Sequence, residues 1–101
     1  GPAIATIPGD AELVRSVAAK LVAAGRDAIL CAPEADGATV VVFRAAGSKL
    51  DCGAVFRQLA ARLGGRGGGK PERAEGRVTG AITDWAAVVA DVLDREREPA
   101  A

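Results

Sequence analysis

The chain has no histidine, which removes both the commonest general base at neutral pH and the usual zinc ligand. Aromatic residues are nearly as scarce: with one tryptophan, two phenylalanines and no tyrosine, the core must be assembled from Val, Leu, Ile and Ala. The two cysteines, Cys31 and Cys52, lie far apart and form neither C-x-x-C nor any other metal spacing. With no signal sequence either, they imply a reducing, cytoplasmic setting. No apolar run approaches membrane-spanning length, which excludes a transmembrane role. Net charge is also absent: 13 basic residues balance 13 acidic ones. The whole molecule therefore offers no field to steer it to nucleic acid, and any basic face must be local.

What is present fits one small domain of 101 residues. Gly1-Pro2 reads as the scar of a cleaved expression tag, so the chain is expected to be a piece of a longer protein. The domain is expected over 3–97, with 98–101 as a disordered tail. The mixed run Asp94-Arg95-Glu96-Arg97-Glu98 reads as a solvated helix end.

Ala3–Ile7 is short, apolar and stopped by Pro8-Gly9, as a strand would be. Asp10 caps a predicted helix reaching Ala24, with Leu13, Val14, Val17, Ala18 and Leu21 at helical spacing and Gly25 placed to end it. Asp27–Ala32 holds the unbroken run Ile29-Leu30-Cys31, which predicts a strand covered on both faces. Asp36-Gly37 is turn chemistry with positive φ expected at both residues, and Thr39–Arg44 resumes as the hairpin partner. The first strand and Asp27–Ala32 are joined by a helix and are expected to be parallel, which makes the sheet mixed. Asp51 caps a second helix, over 52–63, facing inward through Val55, Phe56, Leu59, Ala60 and Leu63. Ala74–Thr79 reads as a short strand in which Gly76 lets a neighbouring backbone lie close. Thr83 or Asp84 caps the last helix, over 84–96, whose stripe of Trp85, Val88, Val89, Val92 and Leu93 assigns the tryptophan to the core and not to base stacking. The fold class is α/β, a single domain with a mixed β-sheet in the order β-α-β-β-α-(Gly loop)-β-α.

The most informative stretch joins the second helix to the last strand. Gly64-Gly65-Arg66-Gly67-Gly68-Gly69-Lys70-Pro71 carries five of the thirteen glycines, two cations and a closing proline. Glycine loses the most backbone entropy on folding, so such a run persists where no side chain fits or where φ must be positive. Exposed N–H groups with Arg66 and Lys70 beside them form an anion-receptive concavity. A flexible linker is the rival, but linkers favour Ser and Thr, and this run is held between an amphipathic helix and Pro71. Arg57, Arg62, Arg66, Lys70, Arg73 and Arg77 outnumber Glu72 and Glu75 around it. The candidate phosphate ligands are Arg66, Gly67, Gly68, Gly69 and Lys70, with Arg62, Arg73 and Arg77 beside them.

No catalytic constellation accompanies this stretch. Glu72 and Glu75 read as solvated partners of the cations, and Cys52, though at a helix N-terminus, has no histidine to act as its base. The nucleotide-hydrolase phosphate loop fails because Lys70 is followed by Pro71, which offers no hydroxyl for magnesium. The dinucleotide fingerprint fails because it needs strand, loop and helix in that order.

Asp51 to Gly80, DCGAVFRQLAARLGGRGGGKPERAEGRVTG, resembles the DHH-associated domain, type one, found at the C-terminus of alanyl-tRNA synthetases and related alanyl-tRNA editing proteins. Those proteins carry a helix leading into G-G-[KR]-G-G-G-[KR]-P, then an acidic residue, then a small residue and a glycine; Gly64 to Glu72, Ala74 and Gly76 follow that pattern. The resemblance implies a tRNA-binding accessory domain, with alanine tRNA as partner, beside an upstream catalytic or editing domain of the same parent chain. It implies no catalytic residue, metal ligand or cofactor here; zinc or manganese would belong to domains that this chain does not contain. The related DHH phosphoesterases carry G-G-G-H in the equivalent domain, and here Lys70 stands in the place of that histidine. Two alternatives stay open, a substrate-binding domain of such a phosphoesterase acting on short oligonucleotides or dinucleotides, and a dimerisation module forming a homodimer.

Overall fold

A computed structural model describes residues 1–97 of the chain. The elements run β1 (Ala3–Thr6), α1 (Ala11–Ala23), β2 (Ala28–Glu34), β3 (Gly37–Phe43), α2 (Cys52–Leu63), β4 (Gly65–Lys70), β5 (Arg73–Val78) and α3 (Trp85–Arg97). The predicted tail, 98–101, lies outside the described residues.

The five strands form one mixed sheet in the order β1-β2-β3-β5-β4. β1 is parallel to β2, and the other three pairings are antiparallel. Strand alternation sorts the apolar side chains onto two faces. On one face Ala28, Leu30, Ala32, Val41 and Phe43 pack under Val14 and Ala18 of α1. On the other, Ile29, Cys31, Val40, Val42, Ala74 and Val78 pack under Val55, Phe56 and Leu59 of α2 and Trp85, Val89 and Val92 of α3. β2 is thus covered on both sides, the environment its continuous apolar run requires. Trp85 is buried, and its indole N–H donates to the Ile29 carbonyl at 3.2 Å. Phe56 is fully buried, which contributes on the order of 2–3 kcal/mol.

The helix ends follow their local chemistry. The Asp10 carboxylate accepts from the Leu13 N–H at 2.9 Å, Asp51 from Ala54 at 3.0 Å and Asp84 from Ala87 at 3.1 Å. Gly25, at φ +87, closes α1.

Three expectations are corrected. The hairpin strands occupy 28–34 and 37–43, because their ladder continues through Pro33 opposite Ala38 and Glu34 opposite Gly37, while Asp27 stays outside the sheet. Its carboxylate accepts from the Ala45 N–H and the Ser48 hydroxyl, both at 2.8 Å, and so pins the loop before α2. Asp36 does not adopt positive φ; that conformation falls on Gly37 alone, at φ +133, where an added Cβ would stand 2.1 Å from the Val78 carbonyl oxygen. The glycine run is not a loop: from Gly65 to Lys70 it is the edge strand β4.

Candidate nucleic-acid interface

α2 ends at Leu63, and Gly64 at φ +70 turns the chain into β4. The Thr79 N–H donates to the Gly64 carbonyl and the Gly80 N–H to the Leu63 carbonyl, both at 2.6 Å, which starts the β4–β5 ladder. Glycine is depleted in strands, so this run does not announce itself as one. Close backbone contacts with the next strand, β5, hold it there. A Cβ at Gly65 would lie 2.5 Å from the Arg77 carbonyl oxygen, one at Gly67 2.6 Å from Gly76 Cα, and one at Gly69 2.2 Å from the Arg73 carbonyl oxygen. Gly76, across from Gly67, has Phe56 of α2 2.5 Å from its own Cβ position. The alternate glycines are therefore required by close packing of β4 on β5. Their period of two was the available signal for a strand.

The same alternation separates the remaining positions. Arg66, Gly68 and Lys70 stand opposite Arg77, Glu75 and Arg73. Ala74 and Val78 of β5 belong to the core under α2 and α3, so Arg73, Glu75 and Arg77 face the α1 side. Arg15 of α1 reaches this face, its Nε donating to Glu75 Oε2 at 2.9 Å, a bond that raises the guanidinium pKa above its ordinary value. Four of the predicted cations, Arg66, Lys70, Arg73 and Arg77, thus share one face of the β4–β5 ribbon.

They differ in what they already hold. Arg77 donates to Glu34 Oε1 at 2.5 Å and to Asp36 Oδ1 at 2.8 Å. The Arg73 guanidinium lies over the Phe43 ring, 4.0 Å from its centroid. Arg66 and Lys70 are exposed, and among the described residues neither has an ion-pair partner. Arg62 does not join this face: it pairs with Asp91 of α3, whose carboxyl it holds below the ordinary range. Its ion pair ties together the two helices covering the other side of the sheet.

Hydrogen-bond phase decides which backbone groups are available. In an antiparallel ladder, residues facing each other alternate between bonded and non-bonded pairs. Counted from Thr79 N–H to Gly64 O, the bonded positions are Arg66, Gly68 and Lys70, which leaves the N–H groups of Gly65, Gly67 and Gly69 directed away from β5. The bond from Arg44 N–H to Glu72 O sets the same phase from the β3 side. The Gly68 amide is therefore committed to the ladder, whereas those of Gly67 and Gly69 lie on the open edge. Gly68 has a different distinction. A Cβ there would meet nothing within 4 Å, so no protein contact requires that glycine. It leaves a gap between Arg66 and Lys70, whose Cα atoms are about 13 Å apart at four strand steps. Beside Arg66 an open cavity of about 320 Å³ is lined by Gly64, Gly65, Arg66, Arg77 and Thr79.

The other titratable groups lack a catalytic arrangement. Glu75 is held by Arg15, and Glu72 lies 3.8 Å from Arg44. Cys52 is buried with its thiol donating to the Glu72 carbonyl at 3.4 Å, and burial pushes its pKa up to about 12, the opposite of an activated thiolate. Burial also raises the Cys31 thiol, partly offset by the Thr6 hydroxyl 3.6 Å away. Among the described residues no group of three or more His, Cys, Asp or Glu side chains is placed to hold a metal ion, and no helix is long and apolar enough to cross a membrane.

Residues 4–95 match the family model described as the DHHA1 domain. The chain is 42% identical over 74 residues to the alanine–tRNA ligase of Thermus thermophilus, covering 72% of this chain and 8% of that protein. It is 43% identical over 75 residues to the alanine–tRNA ligase of Frankia casuarinae, covering 70% and 8%. It thus spans less than a tenth of the length of these curated relatives. Its fold is that of the solved C-Ala domain from Aquifex aeolicus alanyl-tRNA synthetase, with a TM-score of 0.74 over 93% of this chain and 86% of the other at 19% identity.

Proposed function

The chain belongs to the DHHA1 domain family, and on that premise we propose that it is a tRNA-binding accessory domain of an alanyl-tRNA synthetase or alanyl-tRNA editing protein. Its partner is alanine tRNA, and the reactions are carried by other domains of the parent chain. This chain performs no hydrolysis itself and needs no cofactor.

The observation that carries the proposal is the pair Arg66 and Lys70, exposed on one side of an edge strand without carboxylate partners among the described residues. With Cα atoms about 13 Å apart, the two side chains have room to reach separate phosphates. Each takes a separate phosphate, with Gly68 clearing the space between and the edge amides of Gly67 and Gly69 alongside. Such a surface positions a polyanion and reads no base sequence. Contacts to separate phosphates favour a polyanion over a dinucleotide with a single phosphodiester, which supports the tRNA reading against a phosphoesterase substrate domain. The same charges disfavour self-pairing of β4 in the antiparallel register centred on Gly68, which would set Arg66 against Lys70, since like charges directly opposite repel.

Competition binding tests this choice. Folded alanine tRNA should displace a labelled copy of itself at lower concentration than a single-stranded oligonucleotide of equal charge, and a dinucleotide should not compete. Preference for the dinucleotide would assign the domain to the phosphoesterases. Self-association without RNA binding would assign it to dimerisation.

A further inference from the structure

Arg77 stands directly opposite Arg66 and lines the same open cavity, yet both of its terminal nitrogens are occupied by carboxylates. Glu34, the last residue of β2, takes Nη1, and Asp36, in the β2–β3 turn, takes Nη2. Glu34 is itself oriented by the Thr39 hydroxyl, which donates to the same Oε1 at 2.8 Å. Two like charges opposed across a ladder repel, and these carboxylates offset that repulsion. They also present oxygens to the guanidinium much as a phosphate would.

We infer that Glu34 and Asp36 act as internal stand-ins for phosphate, holding Arg77 back from RNA and setting the affinity of the basic face below what its cations allow. The inference rests on the RNA-binding function proposed above and names the residues that tune it. The three side chains are between 39% and 88% exposed, so the ion pairs contribute little to stability. Replacing the carboxylates by amides of the same shape therefore leaves the fold intact while freeing one guanidinium beside Arg66.

The test uses this chain, an unmodified alanine tRNA transcript and a salt titration. Glu34→Gln with Asp36→Asn should bind about threefold tighter or more at moderate salt. The slope of log K against log salt should steepen by about one, as one more phosphate is contacted. Adding Arg77→Ala to that double variant should abolish the gain, and Asp36→Asn alone, at the most exposed partner, should give an intermediate gain. Thermal melts establish that each variant is folded. Unchanged binding by the folded double variant, or a gain that survives Arg77→Ala, overturns the inference and leaves Arg77 as a rivet between β5 and the turn. A wild-type chain that binds no tRNA even at low salt overturns the RNA-binding function itself, and this inference with it.

Discussion

Gly76 and Gly68 lie on neighbouring strands, one residue out of register, and their substitution by alanine should have opposite consequences. A Cβ at Gly76 would stand 2.3 Å from the Arg66 carbonyl oxygen, 2.5 Å from Phe56 Cζ and 2.8 Å from Gly67 Cα. Two of those three atoms are backbone, so a rotamer change cannot relieve the overlap; β4 must move off β5 or Phe56 must leave its seat. Overpacking of a core costs about 1–3 kcal/mol, and a backbone clash belongs at the upper end, about 3 kcal/mol. In a domain of this size each kcal/mol lowers Tm by about 4–8 °C, so Gly76→Ala should melt roughly 12–24 °C below the parent. At Gly68 an added methyl meets nothing within 4 Å, and a strand interior disfavours glycine relative to alanine by roughly 0.5–1 kcal/mol. Gly68→Ala should therefore melt at or slightly above the parent temperature. Far-UV circular dichroism and the fluorescence of the buried Trp85 report the transitions, and their coincidence tests two-state behaviour. Equal melting temperatures for the two variants would refute the close packing of β4 on β5. A Gly68→Ala protein that melts far below the parent would refute the open space assigned to that position.

Asp51→Ala removes the N-cap of the helix that leads into β4 and should cost about 1 kcal/mol in chemical denaturation. Trp85→Phe loses the indole bond to the Ile29 carbonyl and some volume, so it should destabilise the domain by about 1–2 kcal/mol in the same assay, yet leave RNA affinity unchanged because the ring is core. Cys52 should resist alkylation at neutral pH in the folded chain. Its folded pKa of about 12 lies above the ordinary 9.0, so the folded state retains the proton longer than the unfolded one. The stability this contributes is fully present below pH 9 and is lost as pH rises towards 12, which denaturant titrations on wild type and Cys52→Ala would detect as a steeper alkaline decline in wild type.

Helix positions and the hairpin were legible because they rest on local chemistry. Asp10 and Asp51 cap where the apolar stripes begin, and Ile29-Leu30-Cys31 is buried on both faces as an unbroken run suggests. Even so, Leu13 belongs to the predicted stripe of α1 and stands 44% exposed, because the buried contacts of that helix centre on Val14 and Ala18. The glycine run was legible as unusual but not as a strand. Its propensity argues against one, and what holds it is close backbone packing on β5, the next strand of the chain, with Phe56 packed beneath. Nor does local sequence reveal which cations are already committed. Arg77 meets Glu34 across 43 residues, and Arg62 meets Asp91 across two helices. Summed charge around the run treats these arginines as equal to Arg66 and Lys70; the ion pairs separate them.

The most direct measurement is salt-dependent binding of folded alanine tRNA to wild type, Arg66→Ala, Lys70→Ala and Gly68→Val. Each lost cation should reduce the salt slope by about one and weaken binding to all RNAs alike. Gly68→Val should weaken binding as much as either charge removal while the domain stays folded, since its Cβ has no protein atom within 4 Å and its methyls enter the gap between the cations. If all four proteins bind with the same affinity and the same slope, β4 is a structural edge strand and RNA is held elsewhere.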